Sequence, residues 1–132
     1  MGPLAGLSVV EMAGIGPCPL AGQLLADMGA DVVAIGRRAD NPLGGAVNAR
    51  GKRTLAVDLK QTGGKALLLA LVAKSDVLIE GFRPGVMERL GLGPQECLAA
   101  NPALVYGRIT GSRQEGPLAQ SARHDINYIG LT

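Results

Sequence analysis

The chain has 132 residues, 47% apolar and 18% charged, with 13 Lys and Arg against 11 Asp and Glu for a formal net charge of +2. That length buries one modest core, so a single α/β domain over residues 1–132 is expected. A charge so close to balance excludes general attraction to nucleic acid or to an anionic membrane surface, and the basic residues matter only where the fold gathers them.

The N-terminus lacks a basic segment followed by a long apolar run, and no stretch reaches bilayer-spanning length. The only cysteines, Cys18 and Cys97, are far apart in sequence, which favours reduced thiols and a cytoplasmic setting over a disulfide.

Leu7 to Met12 is a short apolar run, followed by Gly14-Ile15-Gly16-Pro17 and a helical pattern through Leu20, Leu24, Leu25 and Met28 that stops at Gly29. Asp31 to Ile35 is valine-rich and does not alternate, as expected of a strand covered on both faces, and it should pair in parallel with the first. Gly36 to Arg53 is irregular and precedes a strand-like stretch from Thr54 to Leu59. Gly63 to Lys74 reads as a helix, Asp76 to Ile79 as a strand, and Gly81-Phe82-Arg83-Pro84-Gly85 as a turn into a short helix through Val86 and Leu90. Gly93-Pro94 opens another helix ending near Asn101-Pro102, and Leu104 to Ile109 is the fifth strand. Five strands alternating with helices predict a Rossmann-like, doubly wound and mostly parallel sheet.

Gly14 and Gly16 lie where a dinucleotide's pyrophosphate would sit, but Pro19 occupies the third glycine position. The second strand ends in Gly36-Arg37 where a ribose-binding acid is wanted, so a plain tight turn is the better reading. Arg37, Arg38, Arg50, Lys52, Arg53 and Lys60 are expected in loops or at strand ends on one edge of the sheet, with Arg83 and Arg89 joining from a neighbouring loop. As a group they fit a bound polyphosphate; singly they fit a solvated surface. His124, the only histidine, stands in Arg123-His124-Asp125-Ile126-Asn127-Tyr128. On its residues alone this is a hydrogen-bonded structural site or a catalytic one. Cys18 has no evident base and is a poor candidate nucleophile.

These residues together resemble the N-terminal part of the family III CoA-transferases, which include the CaiB/BaiF-like proteins, and within the family most closely the α-methylacyl-CoA racemases. The resemblance rests on Pro3-Leu4-Ala5-Gly6-Leu7 with Val9-Val10-Glu11, on Leu25 to Val33, on Arg50-Gly51-Lys52-Arg53-Thr54, and on Val57-Asp58-Leu59-Lys60. It continues through Asp76 to Val86, Leu90-Gly91-Leu92-Gly93, and His124 to Tyr128. It implies an acyl-CoA thioester as substrate, with coenzyme A present as part of that substrate and no tightly bound cofactor. CoA-binding residues would be Arg37, Val57, Asp58, Leu59, Lys60, Gly81, Phe82 and Arg89, with Arg123, Asn127 and Tyr128 along the acyl end.

By the same resemblance His124 takes the α-proton of a 2-methylacyl-CoA and Asp125 orients its ring or caps a starting helix, while an acid on the other face returns a proton. The transferase branch relies instead on an aspartate nucleophile further along, so the histidine string points to racemisation. CoA transfer between carboxylic acids and a non-catalytic CoA-binding module are the rival readings. This chain has Arg123 where the racemases have glycine, an altered Gly111-Ser112-Arg113-Gln114 loop, and Gly36 where an acid usually precedes the CoA-binding arginine. Family members form interlocked dimers and carry their acidic partners beyond the position of Thr132. A homo-oligomer or a complementing second chain is therefore expected, with little activity from these residues alone.

Overall fold

The computed structural model describes residues 2–37, 47–123 and 125–130. Five strands form one sheet: β1 (Ser8–Met12), β2 (Asp31–Gly36), β3 (Lys52–Ala56), β4 (Val77–Glu80) and β5 (Val105–Arg108). Their order is β3-β2-β1-β4-β5, and every pairing is parallel. The helices are α1 (Pro17–Asp27), α2 (Thr62–Val72), α3 (Val86–Arg89), α4 (Pro94–Ala100) and α5 (Asp125–Ile129), with a short 3-10 turn at Val47–Ala49 before β3. This is the α/β, doubly wound parallel arrangement that the alternation of elements predicts.

Because β1 and β4 are covered on both faces, they are mostly apolar without alternation, with Glu11 and Glu80 as buried exceptions. One face buries Val9, Val32 and Ile79 under α1, with Cys18 and Ala30. The other buries Val10, Met12, Ile35 and Leu78 under Leu68 and Val72 of α2, Met87 of α3, and Leu92 and Cys97 at α4. The two cysteines are free and buried in different clusters. Helix α1 starts on a proline, whose missing N–H is no loss in a first turn. It ends at Gly29, whose φ of 100° is left-handed. There Gly29 N–H donates to the Ala26 carbonyl at 2.9 Å and Ala30 N–H to Leu25 at 3.1 Å, closing the terminal carbonyls and turning the chain into β2.

The helical pattern through Leu20, Leu24, Leu25 and Met28 is present as α1; Leu20, Leu24 and Met28 are 50%, 52% and 40% exposed, Leu25 packs against the core, and α1 buries Cys18, Pro19, Gly22 and Gln23. One expectation needs correction. Strand β3 covers Lys52 to Ala56 rather than Thr54 to Leu59, because Val32 pairs with Lys52 and Gly36 with Ala56. Lys52 and Arg53 therefore start the strand, while Val57 to Lys60 leave it at the opposite edge. The strand order reverses at β1, and the C-terminal ends of β1 and its neighbours are where open α/β sheets form a ligand crevice.

Candidate CoA site

A cavity of about 630 Å³ opens at this C-terminal edge. Its floor is Met12, Ile35 and Val57, each at most 7% exposed, from the ends of β1, β2 and β3. Ala13 N–H donates to Ile35 O at 2.7 Å and Val57 N–H to Gly36 O at 2.8 Å, carrying the ladder past the strands and aiming the loops at the cavity. Phe82 after β4, with Val86 of α3 and Leu90 just past its end, forms the facing wall, and Ile15, 94% exposed, stands at the mouth. Arg37, Lys60 and Arg89 also line the cavity. An apolar slot ringed by separated cations suits a ligand with an aromatic body and several phosphates.

Asp58 acts on the turn: its carboxylate accepts from the Lys60 N–H at 3.0 Å and from Gln61 Nε2 at 3.3 Å. That fixes Leu59 and Lys60 at the rim ahead of α2. Seven of the sequence-nominated residues thus meet in one cavity: Arg37, Val57, Asp58, Leu59, Lys60, Phe82 and Arg89. Gly81 sits behind the wall, where a Cβ would come within 2.9 Å of Cys18 Cβ. Arg123 and Tyr128 stack on each other 6.0 Å apart, guanidinium carbon to ring centre, away from the cavity lining, and Asn127 is exposed on α5. His124 and the side chain of Asp125 lie outside the described residues; α5 begins at Asp125.

The basic residues do not share one edge. Arg50 pairs with Asp27 at the end of α1 at 2.6 Å, and Arg53 pairs with Asp31 at the start of β2. The Lys52 side chain is fully buried: its Nζ lies 2.6 Å from Glu11 Oε2 and donates to the Pro19 carbonyl at 2.7 Å. The short register of β3 places all three at the N-terminal edge, and none lines the cavity. Arg38 lies outside the described residues, and Arg83 is exposed in the β4–α3 turn. Gly22 makes room for the buried pair, since a Cβ there would sit 1.8 Å from Glu11 Oε2. Burial pushes the Glu11 carboxyl up, and the Lys52 hydrogen bond and charge pull it back. Burial pushes the Cys18 thiol up to about 12, with Glu11 and Glu80 adding to the effect, so Cys18 is a poor nucleophile.

Sequence reasoning missed Met12, Ala13, Ile15 and Ile35 as cavity residues and set Gly14 aside as a plain tight turn, although a turn after a first parallel strand is a common place for a ligand wall. It also missed the Glu11–Lys52 pair. A lone acid inside an otherwise apolar strand was the available signal, because a buried carboxylate demands a partner.

A parallel α/β sheet with a cation-rimmed slot at its switch point defines the class of fold, and the family follows from comparison. Residues 4–132 match the family described as CoA-transferase family III, and the chain belongs to it. It is 48% identical over 129 residues to an α-methylacyl-CoA racemase of Mus musculus, covering 98% of this chain and 33% of the relative. It is 37% identical to a succinate–glutarate CoA-transferase of Agrobacterium fabrum, covering 98% and 38%. The crystal structure of the hypothetical protein Rv3272 from Mycobacterium tuberculosis superposes with a TM-score of 0.86 at 37% identity, covering 95% of this chain and 37% of that one. The chain spans about a third of the length of these relatives. Among the described residues no helix is long and apolar enough to cross a membrane.

Proposed function

We propose that the chain is the CoA-binding part of an α-methylacyl-CoA racemase-like enzyme that interconverts the (R) and (S) forms of a 2-methylacyl-CoA. The observation that carries this reading is the cavity, with Arg37, Lys60 and Arg89 set around an apolar slot. The adenine is held between Val57, Leu59 and Phe82, and Arg37 and Lys60 meet the phosphates by charge-assisted hydrogen bonds. Arg89 faces the part of the ligand nearer the thioester. The greater identity to the racemase, 48% against 37% for the transferase, supports racemisation over CoA transfer.

In this reading the neutral imidazole of His124 removes the α-proton, the electron pair passes into the thioester carbonyl to give an enolate, and a proton returned to the opposite face completes inversion. An imidazole with an ordinary pKa of about 6.5 serves as base in one direction and acid in the other. Exchange of the α-proton needs His124 alone, whereas inversion needs a second group on the opposite face, which is not assigned among these residues. Incubation with a 2-methylacyl-CoA in deuterated water tests this. The expected result is α-deuterium uptake that disappears in His124→Ala. Transfer of CoA to a dicarboxylate without uptake would support the transferase reading, and CoA binding with neither reaction would leave a binding module.

A further inference from the structure

At the C-terminal end of β5 a single side chain touches three separate parts of the molecule. Arg108 is one-fifth exposed; its Nε lies 3.4 Å from Glu80 Oε1 at the end of β4, and its Nη2 pairs with Glu88 of α3. Its Nη1 donates to Gln114 Oε1 at 3.0 Å, in the loop after β5. The guanidinium lies 5.4 Å over the Tyr106 ring, whose hydroxyl donates to the Leu92 carbonyl at 3.0 Å and braces the platform against the core. Each partner leads somewhere. Glu80, 3% exposed, accepts the Phe82 N–H at 2.8 Å and so sets a cavity-wall residue, and Glu88 adjoins Arg89, which lines the cavity. On the other side Gln120 Nε2 donates to the Pro84 carbonyl at 3.2 Å, a second tie between the loop and the wall. Gly111 lies against the Tyr128 hydroxyl, where a Cβ would sit only 2.0 Å away, so the same loop carries α5.

We propose that Arg108 is a positioning residue that makes the cavity wall and the loop from Gly111 to Arg123 one mechanical unit, so that a ligand held by the wall orders the segment leading to His124. The inference rests on the CoA reading of the cavity. Its physical basis is that a partly buried guanidinium, hydrogen-bonded to Glu88 and Gln114 and ion-paired with Glu80, has a fixed fork geometry, so its partners move together. Lysine supplies the charge but cannot reach Glu80, Glu88 and Gln114 at once.

Backbone hydrogen exchange on the full chain tests it. Without ligand, Arg108→Met should speed exchange about tenfold in both residues 82–90 and residues 111–121, leaving β1 and β2 unchanged; Arg108→Lys should show the same paired change to a lesser degree and serves if the methionine variant does not fold. Loosening of one segment without the other overturns the proposal. With CoA, the unaltered chain should slow exchange at 57–60 and also at 111–121, which do not line the cavity. The double variant Gln114→Ala/Gln120→Ala, whose changes are outside the core, should keep the first protection and lose the second; CoA protection of 111–121 surviving in it overturns the coupling. If CoA protects neither segment in the unaltered chain, the cavity reading falls, and the ligand-free comparison still decides the role of Arg108.

Discussion

Two sets of basic side chains occupy opposite ends of the same parallel sheet, and their residue types are the same. At the N-terminal edge Arg50, Lys52 and Arg53 are each matched to a carboxylate, of Asp27, Glu11 and Asp31. At the C-terminal edge Arg37, Lys60 and Arg89 face a cavity and make no ion pair among the described residues. Local charge count does not separate the sets; strand direction and register do. The cations near the start of β3 meet carboxylates of neighbouring elements, Asp27 ending α1, Asp31 opening β2 and Glu11 within β1, whereas those just past a strand's end meet the crevice.

The largest expected effect that sharpens this contrast is at Lys52. Lys52→Met leaves the Glu11 carboxyl buried without its cation and should cost about 3–5 kcal/mol in urea unfolding, with Lys52→Met/Glu11→Met recovering most of it. A loss under about 1 kcal/mol for the single change would mean the pair does not hold β3 to β1. Arg50→Ala and Arg53→Ala remove side chains that are 65% and 68% exposed, so each should leave the urea midpoint little changed and CoA binding unaltered. A drop in CoA affinity from either would break the two-edge account.

The smallest effect is on acid stability. Asp76 accepts the Ser8 N–H at 2.8 Å and the Ser8 hydroxyl at 2.7 Å, and the backbone bond first and the hydroxyl second hold its carboxyl below the ordinary aspartate value. Its folded pKa is thus lower than its unfolded one, so its contribution is present above about pH 4 and fades as pH falls through the folded value. Asp76→Asn should flatten that part of the acid limb in unfolding free energies measured between about pH 5 and pH 2. An unchanged slope would assign the limb to other carboxyls. Glu80 runs the opposite way: burial raises it, so its contribution is present at low pH and is lost as pH rises through the raised value.

Much of the fold was legible because parallel strands buried on both faces advertise themselves as unbroken apolar runs, as Asp31 to Ile35 does. Gly29 punctuates them in the expected place, whereas Asp58, read as part of the third strand, is a turn residue. Strand ends were less legible. Lys52 and Arg53 read as loop residues because a lysine is rarely fully buried, and only the pairing of Glu11 across two strands makes its burial tolerable. The spacing of Leu20, Leu24, Leu25 and Met28 marked the helix but not its buried side: periodicity identifies an apolar face but not what covers it, and here the small residues Cys18 and Gly22 let α1 lie close to the sheet while Leu20, Leu24 and Met28 stay exposed. The cavity residues at 57–60, 82 and 89 came through the family resemblance, since composition alone does not say which loops converge. Arg108 gave no local sign, because its partners lie in β4, α3 and a later loop.

The central claim is that the C-terminal edge of the sheet receives CoA through Arg37 and Lys60, and calorimetric titration tests it most directly. The account predicts that Arg37→Ala/Lys60→Ala weakens CoA binding by about 100-fold, equivalent to roughly 3 kcal/mol, while binding of dephospho-CoA falls much less. Equal losses for the two ligands, or affinity for CoA that survives the double substitution, would contradict it.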